Sequence, residues 1–263
     1  ENIICVAGSG KKYHKTFNIT TIAAILASGL GAKVVKPVSK GVTSKLGSGE
    51  LLDILKISAY NSLNDIYNEL SQQDICFISI EQNIPTFDSI YGGRQLTISP
   101  LSYVLPGLMS PIKCQHIYYG LSSNKHLKSL ELFRKYGVSG NIAVASSYYY
   151  GGFIDELIIG DSSKLSIMNS DDKIKVIDIS EQISDNTEPM SIASFSNEKR
   201  NVEYILQTID NGIINDYTKI IALNSAGILI TANVFSDFME AYRASLNYIK
   251  NLKLSNRIKM LQK

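Results

Sequence analysis

The chain has no tryptophan, and only three cysteines, three histidines and six prolines in 263 residues. Each shortage removes a class of protein. Cys5, Cys76 and Cys114 lie in apolar or unrelated contexts, without the close paired spacing of a metal site or a disulfide framework. They read as reduced thiols of a cytoplasmic protein. His14 has no second histidine near it in sequence with which to build a ligand pair. Charge is almost balanced, 26 basic against 24 acidic residues for a net +2, so nothing here attracts nucleic acid or an acidic membrane. Ser, Thr and Asn interrupt every apolar stretch well short of the roughly 18 residues of a membrane span. No signal peptide, repeat, low-complexity segment or linker is visible. Hydrophobic residues make up 44% of the chain, which is enough for a large core and favours one domain over residues 1–263.

What is present is concentrated in the first fifty residues. Ile3-Ile4-Cys5-Val6-Ala7 reads as a buried strand, and Gly8-Ser9-Gly10-Lys11-Lys12 follows at once. An apolar run from the segment Lys15-Thr16-Phe17-Asn18-Ile19-Thr20-Thr21 to Leu30 is too long for a strand and ends at Gly31, so it reads as a helix. Strand, glycine loop and helix start make an anion site, because glycine lets backbone N–H groups approach a ligand and the first helical N–H groups lack internal partners. A second strand, Lys33 to Val38, ends in a polar loop from Ser39 to Gly49 that runs into a second helix. Two such loops, one helix apart, belong at the same edge of a parallel sheet, where open α/β sheets bind ligands.

Two familiar phosphate loops do not fit. A P-loop needs glycine where Cys5 stands and Ser or Thr where Lys12 stands, and a dinucleotide fingerprint lacks its third glycine. Further along, Ile75 to Ile80, His116 to Gly120 and Asn141 to Ala145 read as strands, and Asn61 to Gln72, Lys125 to Tyr136 and Arg200 to Asn211 as helices. Periodicity is lost from Glu81 to Ser99. Glu156 to Ile159, Leu165 to Met168 and Ile174 to Ile179 read as short strands. Ile220 to Ala232, apolar all round, reads as a fully buried helix, and Ser236 as the cap of a last helix reaching Leu252. The alternation predicts an α/β fold: three layers, α/β/α, around a mostly parallel mixed sheet.

Several stretches together resemble anthranilate phosphoribosyltransferase, which shares its fold with the pyrimidine nucleoside phosphorylases. They are Lys15 to Thr21, Lys36, and Val42-Thr43-Ser44-Lys45-Leu46-Gly47-Ser48-Gly49-Glu50. Three more agree in order: Val104 to Pro111, Gly152-Phe153-Ile154-Asp155-Glu156, and Leu223-Asn224-Ser225-Ala226. The resemblance implies a magnesium-dependent transfer of phosphoribose from phosphoribosyl pyrophosphate to a small nitrogen-containing acceptor. It assigns Gly8, Ser9 and Gly10 to the pyrophosphate, and Asn18, Thr20 and Thr21 to the sugar phosphate and its metal. Lys36, Ser44 and Ser48 are assigned to the same substrate, and Asp155 and Glu156 to magnesium. No residue is assigned as a catalytic acid or base.

The chain also departs from the pattern. Gly8-Ser9-Gly10-Lys11-Lys12 stands where the family reads Gly-Thr-Gly-Gly-Asp, and Lys36-Pro37-Val38-Ser39-Lys40 where it reads Lys-His-Gly-Asn-Arg. The missing His and Asn help receive anthranilate in the family. The family's small helical domain, built from the N-terminus and an insertion after the third strand, reads as missing or shortened. That would leave the cleft to be closed by a homo-oligomer or a hetero-complex, with Tyr148, Tyr149 and Tyr150 as contacts.

The reaction needs positioning and stabilisation of the leaving charge more than covalent chemistry, and a carboxylate pair suits magnesium. The bland alternatives are a plain strand-to-helix turn, helix caps at the Ser and Thr positions, and a solvated acidic pair at 155–156. At the level of function an enzyme, transferase or nucleoside phosphorylase, stands against a non-catalytic homologue acting as a subunit or scaffold.

Overall fold

The computed structural model of the protein describes residues 2–11, 16–39, 47–92, 97–159, 162–183 and 198–262. In chain order its first half comprises β1 (Ile3–Gly8), α1 (Ile19–Gly29), β2 (Lys33–Val38), α2 (Ser48–Leu55), α3 (Leu63–Gln73), β3 (Ile75–Ser79), α4 (Ile80–Asn83) and α5 (Pro85–Phe87). A π-helical turn (Asp88–Gly92) and two 3-10 turns (Pro100–Tyr103, Leu105–Leu108) lead to β4 (His116–Gly120) and α6 (His126–Lys135). There follow β5 (Ile142–Tyr149), β6 (Gly152–Ile154), β7 (Ser162–Met168), β8 (Ile174–Asp178) and α7 (Ile179–Gln182). The chain closes with α8 (Glu198–Asp210), α9 (Asp216–Thr231), α10 (Phe238–Lys250) and α11 (Lys253–Leu261).

The strands form one sheet in the order β3-β2-β1-β4-β5-β7-β8, with β6 also paired to β5. β3, β2, β1, β4 and β5 run parallel, and β6, β7 and β8 are antiparallel additions. The mixed, mostly parallel sheet predicted from the alternation is therefore what forms. Strands β3 and β4 are buried along their whole length, as a sheet covered on both faces requires. One face packs Ile4, Val6, Val34 and Phe77 against the helices α1 and α9. The other packs Ala7, Tyr119 and Val144 against Leu130 and Phe133 of α6, and Val35 and Ile78 against Ile66 and Leu70 of α3.

The buried helix predicted for 220–232 is α9, which is apolar on every side because α10 covers the face turned away from the sheet. It lies so close to β4 that a Cβ on Gly227 would stand 2.6 Å from the Tyr118 ring. The sequence reading differs from the structure in four places. Glu156 to Ile159 is not a strand, since the segment leaves the sheet after β6. Residues 80–92, where periodicity is lost, are short helical turns, too brief to generate a period. Asp237 rather than Ser236 caps α10, accepting the Glu240 N–H at 2.8 Å. The helix predicted to reach Leu252 is α10, and an unpredicted helix, α11, follows it after Leu252 takes a left-handed φ of 60° that no side-chain pattern announces. The loop from Lys40 to Leu46 and the segment 184–197 lie outside the described residues.

Candidate active site

Chain order in the sheet reverses beside β1: β2 and β3 extend to one side, β4 and β5 to the other. The crevice beyond the C-terminal ends of β1 and β4 is thus the switch point at which open α/β sheets take ligands. Gly8 and Gly120, the last residues of these strands, are paired there, and the Ser9 N–H donates to the Gly120 carbonyl at 2.8 Å. Gly10 follows with φ at +65°, a conformation that favours glycine.

Asp155 enters this crevice from the end of β6. Its Oδ2 accepts the Gly10 N–H at 3.3 Å and lies 3.5 Å from the Ser9 hydroxyl, across 145 residues of sequence. Both strand-end glycines make room for it. A Cβ on Gly120 would stand 2.0 Å from the Asp155 carbonyl oxygen, and one on Gly8 3.1 Å from its carboxylate. Glu156 points the other way along the same edge, where its carboxylate accepts the Thr16 hydroxyl at 2.7 Å. Asp155 is 4% exposed and Glu156 2%, which rules out a solvated acidic pair.

The pair is held from behind. Asn224 of α9 donates to the Leu157 carbonyl at 2.8 Å, accepts the Leu157 N–H at 3.0 Å, and accepts the Tyr118 hydroxyl at 2.9 Å. Ser147 of β5 donates to the Glu156 carbonyl at 2.7 Å and accepts the Ile158 N–H. Burial first, then the nearby charges of Glu156 and Asp155, push the Tyr118 hydroxyl well above its ordinary range, so it remains a donor.

The second loop meets the first through Asn18, the N-cap residue of α1, whose amide donates to the Gly47 carbonyl at 2.9 Å. Ser48 accepts the Ser39 N–H at 3.2 Å and donates to the Ser39 carbonyl at 3.3 Å, so it fastens the base of the loop. Gly47, not Ser48, is the N-cap of α2. Ser44 lies outside the described residues, as do Lys12 and His14. Thr20 is half-buried and Thr21 buried in the first turn of α1, and Lys36 is buried within β2.

Of the residues predicted for the site, Gly8, Ser9, Gly10 and Asp155 come into direct contact, with Glu156 beside them. Asn18 and Ser48 gather at the neighbouring loop, one strand away. Lys11, the next residue, is turned toward Tyr91: its Nζ donates to the Tyr91 carbonyl at 2.8 Å, and burial lowers its pKa. Of the three tyrosines read as interface contacts, Tyr149 is buried and only Tyr148 and Tyr150 are exposed. Ser122 escaped the sequence reading. Its N–H lies 3.4 Å from the Ser9 hydroxyl oxygen, and its own buried hydroxyl finds no partner among the described residues. Its position just beyond β4 was the available signal.

Two buried carboxylates at a glycine-lined crevice, with hydroxyls around them, form the hard oxygen donor set that suits magnesium. The anthranilate phosphoribosyltransferase of Nitrosopumilus maritimus is 24% identical to this chain over 253 residues, 95% of the chain and 72% of the relative. That of Methanococcus aeolicus is 25% identical over 258 residues, 97% of the chain and 77% of the relative. Among solved structures, the Thermus thermophilus anthranilate phosphoribosyltransferase superposes with a TM-score of 0.77 at 14% identity, covering 99% of this chain and 77% of that one. The Saccharomyces cerevisiae enzyme in complex with PRPP and Mg gives 0.68 at 18% identity, covering 99% and 72%. At those identities the structures establish a common fold. The sequence profile described as "Glycosyl transferase family, a/b domain" matches residues 1–252, and the chain belongs to that family.

Proposed function

We propose that this protein is a cytoplasmic phosphoribosyltransferase that moves phosphoribose from phosphoribosyl pyrophosphate to the nitrogen of a small acceptor, with magnesium as its metal. The observation that carries this reading is the placing of buried Asp155 against the glycine loop, with buried Glu156 beside it. Adjacent carboxylates at a glycine-lined crevice are the oxygen donors that magnesium takes. The metal, when bound, neutralises the charge of the leaving pyrophosphate. The rest is work for the chain. Gly8, Ser9 and Gly10 hold the pyrophosphate, with Ser122 as a further hydroxyl at the same crevice. Asn18, Thr20 and Thr21 orient the sugar phosphate at the start of α1. Lys36, Ser44 and Ser48 complete the binding of the same substrate from the neighbouring strand and loop. Such a site accelerates reaction by orientation and by charge placed in advance.

The acceptor end departs from the resembling family, with Pro37, Val38 and Ser39 in place of His, Gly and Asn. We assign it a small nitrogen nucleophile. A second copy or another chain packs on this protein, with the exposed Tyr148 and Tyr150 as its contacts. The decisive experiment is thermal denaturation with phosphoribosyl pyrophosphate, with magnesium, and with both. A ligand of the native state must stabilise it, so the melting temperature should rise with the two together. No rise at saturating concentrations rejects the reading.

A further inference from the structure

The glycine loop is fastened from outside by a residue that no sequence pattern singles out. The π-helical turn Asp88–Gly92, in the long connection between β3 and β4, carries Tyr91. Its ring is buried and stacks on Phe87, with centroids 5.1 Å apart at 12°. The Tyr91 hydroxyl donates to the Ser9 carbonyl at 2.9 Å. The Tyr91 carbonyl in turn accepts the Lys11 ammonium at 2.8 Å, which also lies 4.5 Å from the ring centroid. Ser9 and Lys11, two residues apart, are therefore both tied to one tyrosine. Single π-helical turns are rare and tend to occur at functional sites.

The consequence follows from peptide geometry. In a trans peptide unit the C=O and the N–H point in opposite directions. The Ser9 carbonyl and the Gly10 N–H belong to one such unit, so anchoring the first aims the second. The Gly10 N–H here points at Asp155, into the crevice. Because residue 10 is glycine, nothing in its own side chain resists rotation of this unit. A rotated unit would present a carbonyl oxygen to the ligand and repel an anion. The geometry points to Tyr91 as a positioning residue of the pyrophosphate loop, holding the Ser9–Gly10 peptide with its N–H toward the crevice, with Lys11 fastening the turn that carries Tyr91. This rests on the reading of that loop as the pyrophosphate site. Burial raises the Tyr91 pKa to about 12, so its hydroxyl remains a donor near neutral pH.

The test uses the full chain with inorganic pyrophosphate and magnesium as the probe, followed by titration calorimetry. Tyr91→Phe keeps the ring, its stacking and its cation contact, and deletes the hydroxyl that donates to Ser9 and also meets Ser102. It should weaken binding about tenfold, the worth of one well-placed hydrogen bond, with little change in melting temperature. The Gly10 amide resonance reports the peptide directly and should shift or broaden in the variant. Lys11→Met should weaken binding less, and the double variant should bind no worse than Tyr91→Phe alone. If Tyr91→Phe binds within twofold of the wild type with an unmoved Gly10 resonance, the positioning role is overturned. Should that variant fail to fold, wild-type affinity in Lys11→Met overturns it instead. A wild type that does not bind pyrophosphate with magnesium removes the reading of the loop itself, and the role of Tyr91 with it.

Discussion

Asp155 and Glu156 occupy the least favourable place for a carboxylate, almost sealed from water beside a strand end. Each accepts a hydrogen bond there, Asp155 from the Gly10 N–H and Glu156 from the Thr16 hydroxyl, and isosteric amides keep the shape while removing the charge. The Asp155→Asn, Glu156→Gln double variant is expected to keep its fold and to lose all magnesium-dependent affinity for phosphoribosyl pyrophosphate. Calorimetry with and without the metal checks it, and unchanged metal dependence would contradict the assignment. His126 is a second buried ionisable residue, unrelated to the crevice. It sits between the Ser146 hydroxyl at 2.6 Å and the Ser166 hydroxyl at 2.9 Å, and burial, then the charge of Lys164, lowers its pKa from 6.5 to about 4. The folded imidazole stays neutral where the unfolded one takes up a proton. Stability is thus complete above pH 6.5 and falls as the pH drops toward 4, by up to about 3 kcal/mol from this group. Urea denaturation from pH 7 to pH 4 should show that slope, and His126→Gln should flatten it.

At the scale of elements, the acidic pair depends on three others: the end of β5, the end of β4 and the middle of α9. Asn224 satisfies both backbone groups of Leu157 as well as the Tyr118 hydroxyl. Asn224→Ala strands those groups in the core and should cost on the order of 3 kcal/mol, with a further loss of magnesium-dependent affinity as the pair loosens. Gly120→Ala makes the complementary test from the sheet. Its Cβ would collide with the Asp155 carbonyl oxygen at 2.0 Å, and backbone on both sides must give way. The expected cost is about 1–3 kcal/mol of stability, with binding lost under conditions where denaturation curves still show a folded protein. Binding at wild-type affinity in the folded Gly120→Ala variant would mean that Asp155 needs no fixed place.

On the scale of the whole molecule, the sheet order brings the glycine loop and Asp155, 145 residues apart, to one crevice, and the remaining question is what packs on the exposed tyrosines near by. We expect light scattering to report a mass above that of the single chain, and Tyr148→Ser with Tyr150→Ser to lower it. A monomer at high concentration would contradict this expectation.

The sequence by itself determined the elements whose signal is local. Unbroken apolar runs specify β1, β3 and β4, and the all-round apolar composition of residues 220–232 specifies α9. The glycine loop and the polar loop after β2 had to share one edge, because parallel strands joined by one helix put their C-terminal ends together. Tertiary structure alone decided the rest. Whether 155–156 is a surface pair or a buried one depends on Asn224 and Ser147, which no spacing in the pair's own neighbourhood encodes. Lys11 reads as a free cation until Tyr91, eighty residues later, supplies a carbonyl for it. Tyr149 and Tyr150 are adjacent and alike in letters, yet one is core and the other surface, because β5 continues through Tyr149 and the chain turns at Tyr150 with φ at +40°. Periodicity is a property of neighbouring residues, whereas burial and hydrogen-bond partners are set by residues brought together only by folding.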